Sequence, residues 1–446
     1  MIEELRPYPK MATPEPDWLP PLPAHWELHR AKTNFREVDE RSVSGDEELL
    51  SVSHKTGVTP RSQKNVTMFM AESYEGHKTC QPGDIVVNTL WAWMAALGAS
   101  KHVGIVSPAY GVYRQRTLAF DPRFLDYLLR TETYRGEYLR SSRGITTSRL
   151  RLYPPDFLNI PFVQPPFDEQ RLIVRFLDWH GAMTGKLIRD KRRLIALLNE
   201  QKQSVIHRAV TRGLDHAAKL KSSGVDWLGD VPEHWEVKRL KWVVRLQRGY
   251  DLTADQQING PYPVVSSGGV IGRHIERRAD APGVVMGRYG STEAIFYLEE
   301  DFWPHNTSLY VTDFQGNSPR WCFHMLQTIS KADHSGKSAV PGVDRKDLYD
   351  ILISVPPKDD QQAIANEIDA ECLEFDQAIA LVKAEITLIQ EFHSRLVGDV
   401  VTGQLDVRAF AANLSEVTEA DAAADLTDDD DLDEDTGDLI DVEEAA

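Results

Sequence analysis

Residues 17–32 read DWLPPLPAHWELHRAK, and residues 226–241 read DWLGDVPEHWEVKRLK. A second repeat relates PPFDEQRLIVRFLD at 165–178 to PPKDDQQAIANEID at 356–369. The first repeat has an offset of 209 residues and the second an offset of 191. Because self-similarity of this kind sets the architecture of a chain, the sequence predicts two equivalent halves. Each half has a marker containing His-Trp, a variable block and a long helix, and the second block is 18 residues shorter than the first.

The two long helices are predicted from apolar periodicity. Between Asp168 and Val210 there is no proline, and apolar residues recur at helical spacing. From Ile364 to Val400 the apolar steps alternate between four and three, and only His393 interrupts them. Such sustained heptads indicate a coiled coil. A helix lying on one globular core is the weaker interpretation, because the pattern outlasts usual helix lengths. We expect antiparallel rather than parallel pairing, in a pseudo-two-fold molecule.

The variable blocks are predicted to be two globular, mixed α/β domains. In the first block, 83–88 and 102–107 are predicted strands, and 122–139 is a predicted helix capped by Asp121. In the second block, strands are predicted at 262–267, 283–288, 294–299 and 308–313, with a short helix around 319–330 and a loop at 334–348 that enters another short helix. The expected organisation is a first domain at 1–164, a long helix at 165–215, a second domain at 216–355, a long helix at 356–410 and an acidic tail at 411–446.

The net charge of −18 depends on the C-terminal end of the chain. Residues 416–446 contain fifteen Asp and Glu and no Lys or Arg, so the remainder carries only −3. Like-charge repulsion and low hydrophobicity predict that this tail is disordered. We favour a solubilising role for it over competition with phosphates for basic surfaces.

Composition also bounds the location of the protein and the kinds of site it can hold. No stretch approaches about 18 apolar residues, so no membrane span is expected, and residues 1–11 lack the apolar core of a signal peptide. Cys80, Cys322 and Cys372 have no paired spacing, which argues against a disulfide framework or a cysteine zinc site. We therefore expect a cytoplasmic protein.

No catalytic or metal site emerges from the sequence. QPPF at 164–167 resembles a DNA amino-methyltransferase motif only superficially, because the repeat reads VPPK at 355–358. His25 and His29 are four residues apart, but Lys238 replaces the second histidine in the repeat. The repeated His-Trp pair is therefore predicted to pack rather than to bind a metal.

Taken together, the motifs resemble the specificity subunit of type I restriction–modification enzymes. The resemblance covers about residues 17–410. It rests on the entry Trp227–Lys241, the helix starts Pro165–Gln170 and Pro356–Gln361, and the segments YPVVSSGGVIGRH (262–274) and WPHNTSLYV (303–311). It implies two α/β target recognition domains separated by two long helices that pair as an antiparallel coiled coil.

The resemblance also implies a function. Each domain would read one half of a bipartite target in double-stranded DNA, and the helices would set the spacer. They would also dock two modification (methyltransferase) subunits, which bind S-adenosylmethionine, while restriction subunits would use ATP and Mg. The chain itself would be non-catalytic and hold no cofactor. The alternatives are the DNA-reading part of another multi-subunit or fused DNA methyltransferase system, or a coiled-coil scaffold with a DNA-mimicking acidic tail.

Candidate DNA contacts follow from residue type, since bases and phosphates are met by bidentate polar groups and cations. For each candidate, a solvated surface residue is the competing interpretation. In the first domain the candidates are Lys55, Arg61, Lys64, Lys101, Arg143, Thr146, Thr147 and Arg149. In the second domain they are Arg273, His274, Arg288, Tyr289, Ser291, His305, Asn306, Lys337 and Ser338.

Overall fold

A computed structural model describes residues 5–64, 73–146, 149–253, 255–288, 294–329 and 342–415. The chain divides into two compact units. The first combines Met1–Arg192 with Ala384–Ala446, and the second is Arg193–Lys383. None of the described helices is long and apolar enough to cross a membrane. Of the predicted acidic tail, 416–446 lies outside the described residues.

The first unit begins with a run of short strands and helices. Its strands are β1 (Met11–Ala12), β2 (Leu22–Pro23), β3 (Glu27–Arg30), β4 (Phe35–Glu37), β5 (Leu50–Ser53), β6 (Gly57–Pro60), β7 (Lys78–Cys80), β8 (Ile85–Val87), β9 (Leu97–Ala99), β10 (Gly104–Val106), β11 (Gly111–Gln115) and β12 (Pro161–Gln164). Its helices are α1 (Ala31–Asn34), α2 (Pro122–Leu129), α3 (Glu132–Ser141), α4 (Pro154–Asn159) and the first part of α5 (Phe167–Arg212).

The second unit follows the same plan with more β-structure. Its strands are β13 (Leu220–Ser222), β14 (Asp230–Pro232), β15 (Glu236–Arg239), β16 (Arg245–Arg248), β17 (Tyr262–Ser266), β18 (Gly269–His274), β19 (Gly283–Gly287), β20 (Ile295–Leu298), β21 (Trp303–Pro304), β22 (Ser308–Asp313) and β23 (Leu352–Val355). Its helices are the second part of α5, α6 (Pro319–Gln327), α7 (Arg345–Tyr349) and the first part of α8 (Lys358–Val401). The rest of α8 and α9 (Arg408–Ala411) belong to the first unit.

Both domains contain a four-stranded antiparallel sheet with one topology. The strand order is β4-β11-β8-β9 in the first domain and β16-β22-β19-β20 in the second. In each case the first strand of the sheet lies beside the fourth, followed by the second and the third. In each domain, too, the entering strand pairs with the leaving strand, β3 with β12 and β15 with β23. The blocks that look unrelated in sequence therefore share a fold.

The predicted mixed α/β fold with two long, paired helices is confirmed, including the predicted strands of the second domain. One predicted element is wrong in detail, because 122–139 is two helices rather than one. Asp121 caps α2 as expected, accepting hydrogen bonds from two backbone N–H groups. The helix ends at Leu129, however, and the Thr131 hydroxyl then caps α3 by accepting a hydrogen bond from the Tyr134 N–H. A local cap competes with continuation of the helix, and apolar spacing does not reveal this.

The long helices pair in an antiparallel sense. In the first unit, His180 meets His393 and Lys191 meets Glu385, so residue numbers rise along α5 as they fall along α8. In the second unit, Lys202 Nζ donates to the Asp376 carboxylate at 2.6 and 2.7 Å. The apolar stripe predicted on α8 is largely buried in both units, from Ile364 (2% exposed) to Val400 (0%). The expected antiparallel coiled coil is therefore present in each unit.

His393, which interrupts the apolar series, is not an exposed defect. Its ring stacks on that of His180 with the centroids 5.1 Å apart, and the two Nδ1 atoms are 3.0 Å apart. Both side chains are buried. One Nδ1 must donate and the other accept, so the two rings cannot both be protonated. Burial lowers the pKa of His180, and burial together with His180 lowers the pKa of His393 to about 4.

This histidine pair predicts that the first unit loses stability in mild acid. A histidine whose pKa is lowered by folding takes up its proton more readily in the unfolded chain, so stability falls as the pH drops from about 6.5 towards 4. Between pH 7.5 and pH 5 we expect the wild type to lose about 1–2 kcal/mol more unfolding free energy than His393→Leu. Urea titrations of both proteins at each pH measure this difference. Parallel pH profiles would contradict the assignment.

The repeated His-Trp markers pack against the C-terminal ends of the long helices. Trp26 and Trp235 are 8% and 2% exposed and belong to the cores of their own units, as the packing interpretation predicted. Gly213 (φ +73°) and Gly403 (φ +74°) follow α5 and α8, and a Cβ at either position would lie 3.0 Å from the neighbouring tryptophan ring. Left-handed backbone and close approach both favour glycine there.

Candidate nucleic-acid interface

The first residues of each long helix hold the adjoining domain. The Gln170 side chain is fully buried. Its Nε2 donates to the Pro165 carbonyl (2.9 Å), and its Oε1 accepts from the backbone N–H of Asp121 (2.8 Å). Asp121 is the cap of α2, so the long helix fixes the start of a helix in the domain.

The second unit repeats this arrangement. Gln361 Nε2 donates to the Pro356 carbonyl (3.0 Å), and its Oε1 accepts from the backbone N–H of Ser318 (2.8 Å). Ser318 caps α6 through its hydroxyl. The repeated Pro-Pro-x-(Asp/Glu)-(Asp/Glu)-Gln sequence therefore serves as an attachment between the start of each long helix and its domain.

A second attachment lies eight residues further along each long helix. Asp178 accepts hydrogen bonds from the Arg123 guanidinium and from the Tyr127 hydroxyl, the latter at 3.0 Å. Burial raises the pKa of Asp178, although Arg123 and Tyr127 act in the opposite direction.

The equivalent contact in the second unit is bidentate. Arg320 Nε and Nη2 donate to Asp369 at 2.8 and 2.7 Å, and His324 Nε2 lies 2.9 Å from the same carboxylate. Burial alone would raise the pKa of Asp369, but hydrogen bonds and charge from Arg320 and His324 lower it overall. Burial lowers the pKa of His324 to about 4, so this ring is a neutral hydrogen-bond donor at pH 7.

The second domain gathers three of the predicted contact residues at one edge. The backbone N–H of Arg288 donates to the Thr307 carbonyl (3.0 Å), and His305 Nδ1 lies 3.0 Å from the Thr307 hydroxyl. Asn306, between His305 and Thr307 in the sequence, donates from Nδ2 to Asp251. The turn of the β17–β18 hairpin reaches the same place, because the Ser267 N–H donates to the Thr307 hydroxyl (3.2 Å). Loops from several strands thus present polar groups together.

Two other predicted residues lie at the far end of that hairpin. Arg273 is exposed and forms an ion pair with Glu300 (2.7 Å). His274 is only 5% exposed, accepts a hydrogen bond from the Ile258 N–H (3.2 Å) and packs edge-on against Trp303. A contact between His274 and DNA would require this ring to leave the interior, so its packing role competes directly with the predicted one.

The first-domain candidates occupy four separate loops. Lys55 lies in the β5–β6 hairpin, and Arg61 and Lys64 flank the turn that follows β6. Lys101 is exposed between β9 and β10. After α3, the exposed Arg143 forms an ion pair with Asp156, and Thr146 and Arg149 are exposed in the same loop. The remaining candidates, Thr147, Tyr289, Ser291, Lys337 and Ser338, lie outside the described residues.

Comparison with known families agrees with this architecture. A family model described as the type I restriction modification DNA specificity domain matches residues 232–391, which contain most of the second domain and much of α8. This segment of the chain is therefore similar to a type I DNA specificity domain. The chain is 28% identical over 146 residues to the type I restriction enzyme MjaVIII specificity subunit of Methanocaldococcus jannaschii, an alignment that covers 33% of this chain and 32% of that relative.

Two further comparisons cover more of this chain. The putative MjaX specificity subunit of the same organism is 22% identical over 308 residues, covering 65% of this chain and 69% of the relative. A structure solved in a study of complex assembly and conformational transition of the type I R-M system covers 86% of this chain and 99% of its own. Its TM-score is 0.57 at 15% identity, which shows a shared fold.

The sequence analysis missed two cations near this edge of the second domain. Arg278 lies over the rings of Trp303 (5.0 Å) and Tyr250 (5.6 Å). Arg248 forms an ion pair with Asp251, the carboxylate that also holds Asn306. Arg278 could have been found from the sequence, because it belongs to the basic pair Arg277-Arg278 within IERRAD (275–280). Arg248 could not have been found without the structure, because it is strand pairing that brings this residue beside Asn306.

Proposed function

We propose that the chain is the non-catalytic DNA-reading subunit of a type I restriction–modification complex, and that each domain reads one half of a bipartite target. The observation that carries this proposal is the repetition of one sheet topology, and of one set of attachments to the long helices, in both domains. The exposed loops on these two sheets differ in sequence. Two domains that share a sheet topology and helix attachments but carry different loops suit a protein that must recognise two different half-sites.

The long helices set the spacer between the half-sites in this proposal. Both α5 and α8 continue from one unit into the other, and they pair through apolar side chains within each unit. A continuous helix rises about 1.5 Å per residue and resists compression, so it is suited to fixing a distance.

The same helices also dock two modification subunits. Each unit exposes two large apolar side chains on α5 and two on α8, and each of these is between 43% and 64% exposed. Exposed apolar groups concentrated on paired helices favour a protein partner over solvent. They are Met183, Leu187, Leu388 and Phe392 in the first unit, and Leu194, Leu197, Leu373 and Leu381 in the second.

The chemistry then resides in the partner subunits. The modification subunits bind S-adenosylmethionine and methylate the DNA, while restriction subunits use ATP and Mg for translocation and cleavage. This chain supplies sequence recognition in the cytoplasm, where the DNA lies. The basic and polar edge around Arg288, His305 and Asn306 is the proposed reading surface of the second domain, and the four first-domain loops are its counterpart.

Methylome sequencing of the source cell with and without this gene tests the proposal. We expect one bipartite adenine-methylation motif to disappear on deletion and to return when the gene is restored. Restoring a chain truncated after Leu414 should also return the motif, because in this proposal the acidic tail takes no part in reading DNA. Failure of the truncated chain would favour the alternative in which the tail mimics DNA. A methylome unchanged by deletion would overturn the proposed function.

A further inference from the structure

We propose that Asp178 and Asp369 are positioning residues that hold each recognition domain at a fixed orientation on its long helix, and that they thereby make the subunit strict about spacer length. This inference rests on the proposed function. It assigns spacer discrimination to the side chains that join each domain to its helix, in addition to the length of the helices.

In the second unit, α6 is joined to α8 at two points. Gln361 accepts a hydrogen bond from the backbone N–H of Ser318, and Asp369 accepts hydrogen bonds from Arg320 and His324. The two attachment residues are eight positions apart on α8, a rise of about 12 Å along the helix.

The first unit has the same pair of points. Gln170 accepts from the backbone N–H of Asp121, and Asp178 accepts from Arg123 and Tyr127. The spacing of eight residues on the long helix is preserved, and so are the positions on the short helix, where the second and sixth residues provide the donors. The aromatic donor changes from tyrosine to histidine, yet the carboxylate it meets is retained.

Two separated points fix an orientation, whereas a single point allows a pivot. The short helices transmit this orientation to the sheets, because α6 packs on β19 and β20 and α2 packs on β9. If the aspartate contact is lost, the domain can turn about the remaining glutamine contact. A shift of 1 Å at a distance of about 12 Å corresponds to a rotation of about 5°, and the displacement grows towards the reading loops.

The carboxylate provides more than a distance constraint. The Arg320 guanidinium is planar and donates through Nε and Nη2, so a bidentate partner fixes its angle as well as its position. The same guanidinium lies over the rings of Tyr297 (4.5 Å) and Phe323 (5.1 Å), which holds it against the second domain. Asparagine at 369 keeps the size of the side chain but has one acceptor oxygen and no charge, so it removes this angular constraint.

The experiment uses the complex of this chain with its modification subunits and the bipartite sequence found in the methylome. Equilibrium binding is measured on duplexes with the native spacer, with one base pair more or less, and with single-base substitutions in each half-site. For Asp369→Asn we expect the preference for the native spacer to fall about tenfold, while the penalties for base substitutions stay within about twofold of wild type. Asp369→Glu, which retains the carboxylate, should recover much of the preference.

A matched variant separates positioning from stability. Cys322 is fully buried on α6 and its side chain belongs to the apolar core of the second unit, so Cys322→Ala lowers packing of the same helix and leaves every attachment side chain in place. It should keep both the spacer preference and the base penalties. The inference would be overturned if Asp369→Asn kept the spacer preference, or if it lost the spacer preference and the base discrimination together. It would also be overturned if Cys322→Ala lost as much of the spacer preference as Asp369→Asn. Failure of the wild-type complex to prefer any bipartite duplex would instead overturn the proposed function itself.

Discussion

Replacing Glu169 with alanine is expected to cost about 3 kcal/mol of unfolding free energy in the first unit. The Glu169 side chain is only 6% exposed and collects three donors. Its Oε1 accepts from the Tyr8 hydroxyl (2.7 Å) and Trp26 Nε1 (3.0 Å), and His25 Nε2 lies 2.8 Å from Oε2. Burial, together with the bond to Glu169, raises the pKa of Tyr8, so its hydroxyl remains a donor. Alanine would leave the buried Tyr8 hydroxyl and Trp26 N–H without their acceptor.

The repeat provides a matched control for this prediction. Asp360 occupies the equivalent position in α8, but its side chain is 46% exposed and lies 3.4 Å from His234, which is itself 57% exposed. Such exposed pairs contribute little, so Asp360→Ala should change stability by less than about 1 kcal/mol. Urea denaturation followed by tryptophan fluorescence compares the two variants. Equal losses in both would show that burial of the first carboxylate is not what makes it important.

Lengthening both long helices by one heptad is expected to change the spacer and leave both half-sites unchanged. Seven residues add about 10 Å to a helix, which corresponds to about three base pairs of DNA. Insertions after Arg192 in α5 and after Lys383 in α8 fall where the helices pass from one unit to the other, so contacts inside each unit are preserved. The methylated motif should then keep its two half-sites with a spacer about three base pairs longer, and the original motif should lose its methylation.

The paired design matters because the helices are antiparallel. An insertion in α5 alone would shift contacts such as His180–His393 or Lys202–Asp376 out of register, and it should reduce stability rather than lengthen the spacer. Methylome sequencing of cells carrying the single and double insertions distinguishes these results. A changed half-site sequence in the double insertion would contradict the role of the helices as a ruler.

The long helices and their pairing could be predicted because a heptad series is a local signal. The His-Trp markers could be predicted because their sequence is repeated, but their partners could not. Glu169 and Asp360 lie in the other repeat, and only the fold shows that one repeat docks on the other. The shared sheet topology was also beyond prediction, because buried strands require apolar character rather than particular residues, and the blocks had diverged too far to align.

The sequence contains a further repeat that marks the donors of the aspartate attachments. DPRFLDYLL at 121–129 and SPRWCFHML at 318–326 form a third repeat, with an offset of 197 residues. It contains the capping residue, Arg123 or Arg320, and the second donor of each unit. The candidate DNA contacts were chosen by residue type alone, which does not distinguish a loop residue such as Asn306 from a packed ring such as that of His274. They remain predictions.

The pairing of β3 with β12, and of β15 with β23, has a consequence for how such proteins diversify. The chain enters and leaves each domain through one two-stranded ribbon, so the two ends of the intervening segment are neighbours. An insertion or a wholesale exchange between those ends need not disturb the helices outside them, and the two segments here already differ by 18 residues. Genetic recombination between related genes can therefore create a new pairing of half-sites in one step, without a poorly folded intermediate.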